Sequence, residues 1–192
     1  MVLLRVRSAS CHLNMASLRE SKTATQGTAS PTFRNPTPED AAAIWRLVVD
    51  SGVLDHNSPY SYLIMCKHFS DTCIVVEYDA EIVGFVTAYR PPTSPQVVFV
   101  WQIGVAESMR GRGLSIALLD ALVHRPARQD VTYLDATVTP SNAASQSMFR
   151  AFARHLNTQC VEELCFPEQL FPPEGHEAEY LFHIGPFNVH DR

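Results

Sequence analysis

The stretch from Val97 to His124 constrains the fold more than any other. Val97 to Val105 (VVFVWQIGV) is almost uninterruptedly apolar, Ala106 to Gly113 (AESMRGRG) holds two closely spaced glycines, and Leu114 to His124 (LSIALLDALVH) is apolar again and stops before Pro126. A strand without polar alternation belongs in the middle of a sheet covered on both faces. An apolar helix that follows it directly is one of those covers, so the chain is committed to a layered α/β architecture.

The flanking sequence fills in the layers. Thr32 to Arg34 reads as a short strand. Thr37-Pro38-Glu39-Asp40 has the cap, first-turn proline and acid that open a helix, and Ala43, Ile44, Leu47 and Val48 recur at helical spacing until Gly52. A second helix runs from Pro59 to Phe69. Residues 72–78 and 82–89 are β-branched and flank Asp79-Ala80-Glu81, a hairpin pattern. Val131 to Val138 is a strand, Ser141 to Leu156 a helix, and a short strand near Thr158 precedes a Pro-rich connection from Cys165 to Gly175 and a closing strand from Glu179 to Ile184. The order β-α-α-β-β-β-α-β-α-β-β predicts a mixed, twisted central sheet with helices on both faces.

A chain of 192 residues and 21.4 kDa suits one domain. Residues 1–31, rich in Ser, Thr and Ala, lack a periodic apolar face and are expected to stay an unfolded tail; the domain is expected over 32–186, with 187–192 a second tail. A net charge of −5 leaves no global positive field to hold nucleic acid or an anionic membrane, and no apolar run approaches the ~20 residues that cross a bilayer. The expectation is a cytoplasmic protein. Five scattered cysteines without a CxxC, and histidines without metal-ligand spacing, suggest neither disulfides nor a metal site.

Any anion must then be held locally, and Met109 to Ser115 has the means. A strand that enters a glycine-rich turn and then a helix brings free backbone N–H groups to a helix N-terminus, where the macrodipole favours negative charge. Gly111 and Gly113 permit positive φ, and Arg110 and Arg112 add charge. The turn lacks the Gly-Lys-Ser/Thr of a Walker loop and the spacing of a dinucleotide fingerprint.

Arg110-Gly111-Arg112-Gly113-Leu114-Ser115 resembles the Q/R-x-x-G-x-G/A signature of the GNAT N-acetyltransferases, and Asn142 to Phe149 is similar to the next element of that family. The resemblance spans about Thr32 to Gly185. It implies a GNAT-like fold and acetyl-CoA as co-substrate, its pyrophosphate held by Arg110, Gly111, Arg112, Gly113, Leu114 and Ser115, its pantetheine arm by the backbone of Ile103, Gly104 and Val105, and a further contact from Asn142. Two positions depart from the pattern. Ser115 replaces a smaller residue, and Phe149 stands where many members have a tyrosine that protonates the departing thiolate. Asp55-His56-Asn57-Ser58-Pro59-Tyr60, Gly84 to Tyr89, Val100 to Val105 and Thr137 to Asn142 narrow the resemblance to the diaminobutyrate acetyltransferases of ectoine biosynthesis. That branch implies transfer of acetyl to the 4-amino group of a small diamino acid, and, together with the exposed-looking aromatics of Phe166 to Pro173, a homodimer.

Amide formation needs an uncharged amine, so an ammonium must lose a proton in the site. Asp55 and Tyr60 offer an acid and a phenol between the first two helices. Trp101, placed by period-two alternation on the same face as Ile103, is expected to wall the substrate pocket, with core packing as the plainer role. His176, Glu177 and Glu179 cluster where the closing strand starts; alternation puts both glutamates on one face, and either is a candidate for cation binding or for the base. Tyr60 is the candidate donor that Phe149 cannot be. Transfer to another small amine, and a catalytically silent acyl-CoA-binding module, stand as alternatives.

Overall fold

The computed structural model describes residues 30–125, 130–172 and 175–188. The expected tails fall largely on residues 1–29 and 189–192, which lie outside the described residues. In chain order the elements are β1 (Thr32–Arg34), α1 (Ala41–Ser51), α2 (Pro59–His68), β2 (Ile74–Tyr78), β3 (Glu81–Tyr89), β4 (Val97–Val105), α3 (Leu114–Val123), β5 (Tyr133–Val138), α4 (Ala143–His155), β6 (Cys160–Phe166) and β7 (Glu179–Ile184). The strands form one sheet ordered β1-β2-β3-β4-β5-β7-β6. Every adjacent pair is antiparallel except β4 and β5, which α3 joins in parallel.

Alternation along β2 and β3 divides the core in two. Val75 and Phe85 pack with Ile44, Val48, Tyr62 and Cys66 of α1 and α2, whereas Ile74, Val76 and Val86 pack with Leu118 and Leu122 of α3 and Phe152 of α4. Helices thus cover both faces, as the unbroken apolar run of β4 required. A short 3-10 turn over Pro38–Asp40 leads into α1, and Gly52 ends it in the left-handed conformation. Asp40 closes the helix entry by accepting the Thr37 backbone N–H at 2.7 Å and a bidentate pair from Arg34 at 2.7 and 2.9 Å. That pair fastens β1 to α1 and holds the Asp40 carboxyl below the usual carboxylate range.

Three expectations need correction. First, residues 160–166 form a seven-residue strand rather than a short one near Thr158. Its sequence, CVEELCF, has no clean alternation because β6 is an edge strand, with Val161, Leu164 and Phe166 exposed. Second, the packed unit continues past residue 186: Phe187 is buried and its N–H donates to the Thr132 carbonyl at 2.9 Å. Third, Trp101 and Ile103 do not share a face. β3 pairs Thr87 with Gln102 and Ala88 with Val100, so Trp101 is an extra residue in β4. This bulge inverts the alternation: Trp101 joins the α1/α2 cluster, while Ile103 packs against the α3/α4 cluster.

Candidate active site

The site lies where β4 and β5 part. They pair from Val97 and Tyr133 only as far as Val100 and Ala136, although β4 runs on to Val105 and β5 to Val138. Two parallel strands that diverge in mid-sheet open a cleft. It encloses a cavity of about 250 Å³ and is lined by Trp101 and Ile103 on one side and Thr137 and Thr139 on the other. Beyond Val100, the β4 backbone on that side has no β5 partner, leaving Trp101 to Val105 with a strand edge on which an extended arm can pair.

The far end of that edge leads into the glycine turn. Gly111 and Gly113 have φ of +74° and +76°, and an added Cβ at either would meet nothing within 4 Å. Their requirement is therefore conformational rather than one of space. Gly113 caps α3 without a side-chain bond, so the first N–H groups of the helix are left for a ligand. Leu114 contributes through its backbone, since its side chain is buried in the core, and Arg110 and Arg112 stand exposed beside the turn. Gly104 has a different reason to lack a side chain: a Cβ there would stand 2.8 Å from the Phe85 ring. An extended backbone edge leading to an anion-binding helix start fits acetyl-CoA, whose thioester supplies the acyl group and whose pantetheine and pyrophosphate match those two features.

The other wall of the cleft holds the acids. Asp55 comes from the loop between α1 and α2, His176 and Glu179 from the stretch that enters β7, and the three meet there: His176 Nε2 stands 3.9 Å from Asp55 Oδ2 and 3.8 Å from Glu179 Oε1. His176 stacks on Phe171 with centroids 4.0 Å apart, and its Nδ1 contacts the Glu177 carbonyl at 2.7 Å. A carbonyl only accepts, so Nδ1 carries a proton, and Nε2 faces the two carboxylates. The Glu179 side chain is 15 % exposed, and its Oε2 is a buried oxygen without a hydrogen-bond partner. Burial pushes its carboxyl above the ordinary range, with the Thr137 hydroxyl and His176 pulling the other way and Asp55 and Glu177 adding to the rise.

The structure brings Asp55, Trp101, Ile103, Asn142, His176 and Glu179 to one cleft. Asn142 also caps α4 by accepting the Ser145 N–H at 3.1 Å. Of the catalytic and substrate-binding candidates, two are not brought there. Tyr60, on the first turn of α2, is 67 % exposed and lines no part of the cleft in its own chain, because the hydroxyl that points inward on that helix belongs to buried Tyr62. Glu177 precedes β7 rather than alternating along it, and its carboxylate accepts the Ser141 N–H at 3.0 Å. Phe149 does line the cleft, buried and 6.0 Å from the Phe182 ring, so no phenol stands at that position. Sequence reasoning missed Thr137, Gln102 and Ser145. Ser145 lines the cleft one turn before Phe149 on α4, a placement legible as i, i+4 spacing. None of the four described cysteines lines the cleft, and burial pushes the Cys66 thiol up to about 12.

This geometry can be set beside known proteins. The model of the acetyltransferase (GNAT) family matches residues 41–153. The L-2,4-diaminobutyric acid acetyltransferase of Halalkalibacterium halodurans is 52% identical over 157 residues, covering 82% of each chain. The chain belongs to the L-2,4-diaminobutyric acid acetyltransferases, within the GNAT family. The family's member in Marinococcus halophilus is 50% identical over 155 residues, 81% of this chain and 90% of that one. Among solved structures, the diaminobutyrate acetyltransferase of Paenibacillus lautus, in complex with its substrate L-2,4-diaminobutyric acid and coenzyme A, matches with a TM-score of 0.79 at 38% identity over 83% of this chain and 96% of that one. Ard1 of Thermoplasma volcanium, at 16% identity and a TM-score of 0.66, shares the fold. A diaminobutyrate acetyltransferase needs a cleft that meets both a thioester and two ammonium groups. The parted strands and the acid wall supply those two halves.

Proposed function

We propose that the chain transfers the acetyl group of acetyl-CoA to the 4-amino group of L-2,4-diaminobutyrate, giving N4-acetyl-L-2,4-diaminobutyrate for ectoine biosynthesis and so for osmoprotection. The observation that carries the assignment of roles is Glu179, a buried carboxylate with one oxygen unpaired in a cleft beside the free edge of β4. Such a group attracts an ammonium and, with its proton affinity raised, is a competent base. Glu179 takes the proton from the 4-ammonium, and the freed amine attacks the thioester carbonyl. The C–S bond breaks and coenzyme A leaves as a thiolate. Asp55, at the rim, meets the second ammonium, with His176 between the two acids. Trp101 walls the substrate, and the backbone of Ile103 to Val105 with the turn from Arg110 to Ser115 orients the cofactor. Transfer is direct: none of the described cysteines reaches the cleft to form an acyl-enzyme. With Phe149 in the tyrosine position no phenol serves the thiolate, which takes up the second proton shed by the attacking nitrogen, relayed by water or by a cleft hydroxyl such as that of Ser145.

The protein acts in the cytoplasm as a homodimer. Val161, Leu164, Phe166 and Leu170, exposed on and after edge strand β6, are the surface a second copy would cover. Sedimentation at 21.4 kDa would reject the dimer. The function is tested by following free thiol from acetyl-CoA with diaminobutyrate, ornithine, lysine and spermidine. Diaminobutyrate is expected to give the highest kcat/KM. Equal turnover of spermidine would assign the cleft to another amine, and tight acetyl-CoA binding without thiol release would make the protein a non-catalytic binder.

A further inference from the structure

The Asp55 carboxylate is 81 % exposed, and its pairing with His176 is a loose 3.9 Å. Its own side chain therefore does little to fix where its charge stands, and that position must come through the backbone. The Asp55 carbonyl accepts from Gln102 Nε2 at 2.9 Å and from Asn57 Nδ2 at 3.2 Å. Gln102 Oε1 in turn accepts the Tyr62 hydroxyl at 2.8 Å, and that hydroxyl also meets Asn57. Tyr62 is fully buried and Gln102 is 8 % exposed. The bulge at Trp101 is what turns Gln102 toward this loop, and the Tyr62 ring stacks on Trp101 with centroids 5.8 Å apart and planes at 28°.

We propose that Tyr62 and Gln102 are positioning residues, a buried relay between α2 and β4 that registers the Asp55 loop and the Trp101 ring against the cleft and so sets the affinity for the diamino substrate. The identity of that substrate rests on the function proposed above. A purely structural need would be met as well by two apolar side chains of similar shape, without desolvating a phenol and an amide. A carboxamide, by contrast, donates and accepts at once. At residue 102 it can hold the loop carbonyl with one arm and be held by α2 with the other. Both ends of the relay sit on regular elements, which hold a site more narrowly than a loop can.

The test compares the full chain with its Tyr62→Phe and Gln102→Met variants. It reads both KM values, kcat and hydrogen exchange over residues 53–58. Tyr62→Phe keeps the ring and its stack and removes only the hydroxyl. It is expected to raise the KM for diaminobutyrate about threefold to tenfold, the size of one lost hydrogen bond, and to speed exchange in the loop. The acetyl-CoA KM and the protection of β2 and β3 should not move. Gln102→Met, which releases the Asp55 carbonyl directly, is expected to do the same more strongly. Variants that melt earlier yet keep the wild-type diaminobutyrate KM and loop exchange would overturn the inference, as would both KM values rising together. Wild-type turnover of diaminobutyrate in the same assay separates the two proposals: if it is absent the functional reading falls, and loop exchange alone still decides the relay.

Discussion

The two walls of the cleft are built in opposite ways. The cofactor wall, from Ile103 to Ser115, is one continuous piece of chain whose working groups are backbone N–H and C=O, exposed because β4 outruns its pairing with β5 and because two glycines hold positive φ. The substrate wall is made of side chains: Asp55 on one side and, more than a hundred residues later in sequence, His176 and Glu179, with His176 within 4 Å of both carboxylates. A backbone site tolerates most side-chain changes and depends on conformation; a side-chain site depends on charge and on what holds each charge in place. Substitutions should therefore separate the two walls: those in the cofactor wall should raise the acetyl-CoA KM alone, and those in the acid wall should change the handling of diaminobutyrate, in KM or in kcat, without moving the acetyl-CoA KM.

The largest effect is expected from Glu179→Gln. Loss of the general base should lower kcat by about 10²- to 10⁴-fold, with the acetyl-CoA KM unmoved in steady-state assays. Next comes Gly113→Ala, which forces a Cβ into the left-handed region at about 1–2 kcal/mol and should raise the acetyl-CoA KM about tenfold while leaving that for diaminobutyrate alone. A matching rise in both would erase the distinction between the walls. Asp55→Asn should raise the diaminobutyrate KM by a factor of about five, an effect that shrinks as salt is added because the carboxylate is exposed. Glu177→Gln, at a carboxylate that accepts the Ser141 N–H and does not line the cleft, should alter neither KM by more than about twofold.

The pH dependence sharpens the same contrast. Because folding raises the Glu179 pKa, the native state favours the protonated acid. Its contribution to stability is fully present below the unfolded value of about 4.3 and is lost as pH rises through the higher native value. Relative to the wild type, Glu179→Gln should be no more stable in acid and gain on moving to neutral pH, as read by thermal melts across that range. Activity should move the other way and fall on acidification through the same native value, since a protonated Glu179 accepts nothing.

What was legible in the sequence follows the same division. The order of strands and helices, and the limits of β1, β4 and β7, could be read directly because caps, glycines and apolar periods are local. The cofactor wall was legible for that reason. The acid wall was legible only as a set of candidates. That Glu179 enters the cleft while Glu177 bonds Ser141 depends on which distant segments pack beside the start of β7, and no local pattern specifies that. The bulge at Trp101 could not be read, since β4 is apolar on both sides and gives no alternation to betray a shift in phase. Tyr62 was hidden by Tyr60, two residues earlier on the same helix, and only packing against Trp101 shows which phenol points inward.

The account stands or falls on the product. Incubating the full chain with acetyl-CoA and L-2,4-diaminobutyrate and assigning the acetylated nitrogen by NMR should give the N4-acetyl compound, formed in step with released thiol and nearly abolished in Glu179→Gln. Acetylation at the 2-amino group, or a Glu179→Gln variant that turns over at the wild-type rate, would contradict it.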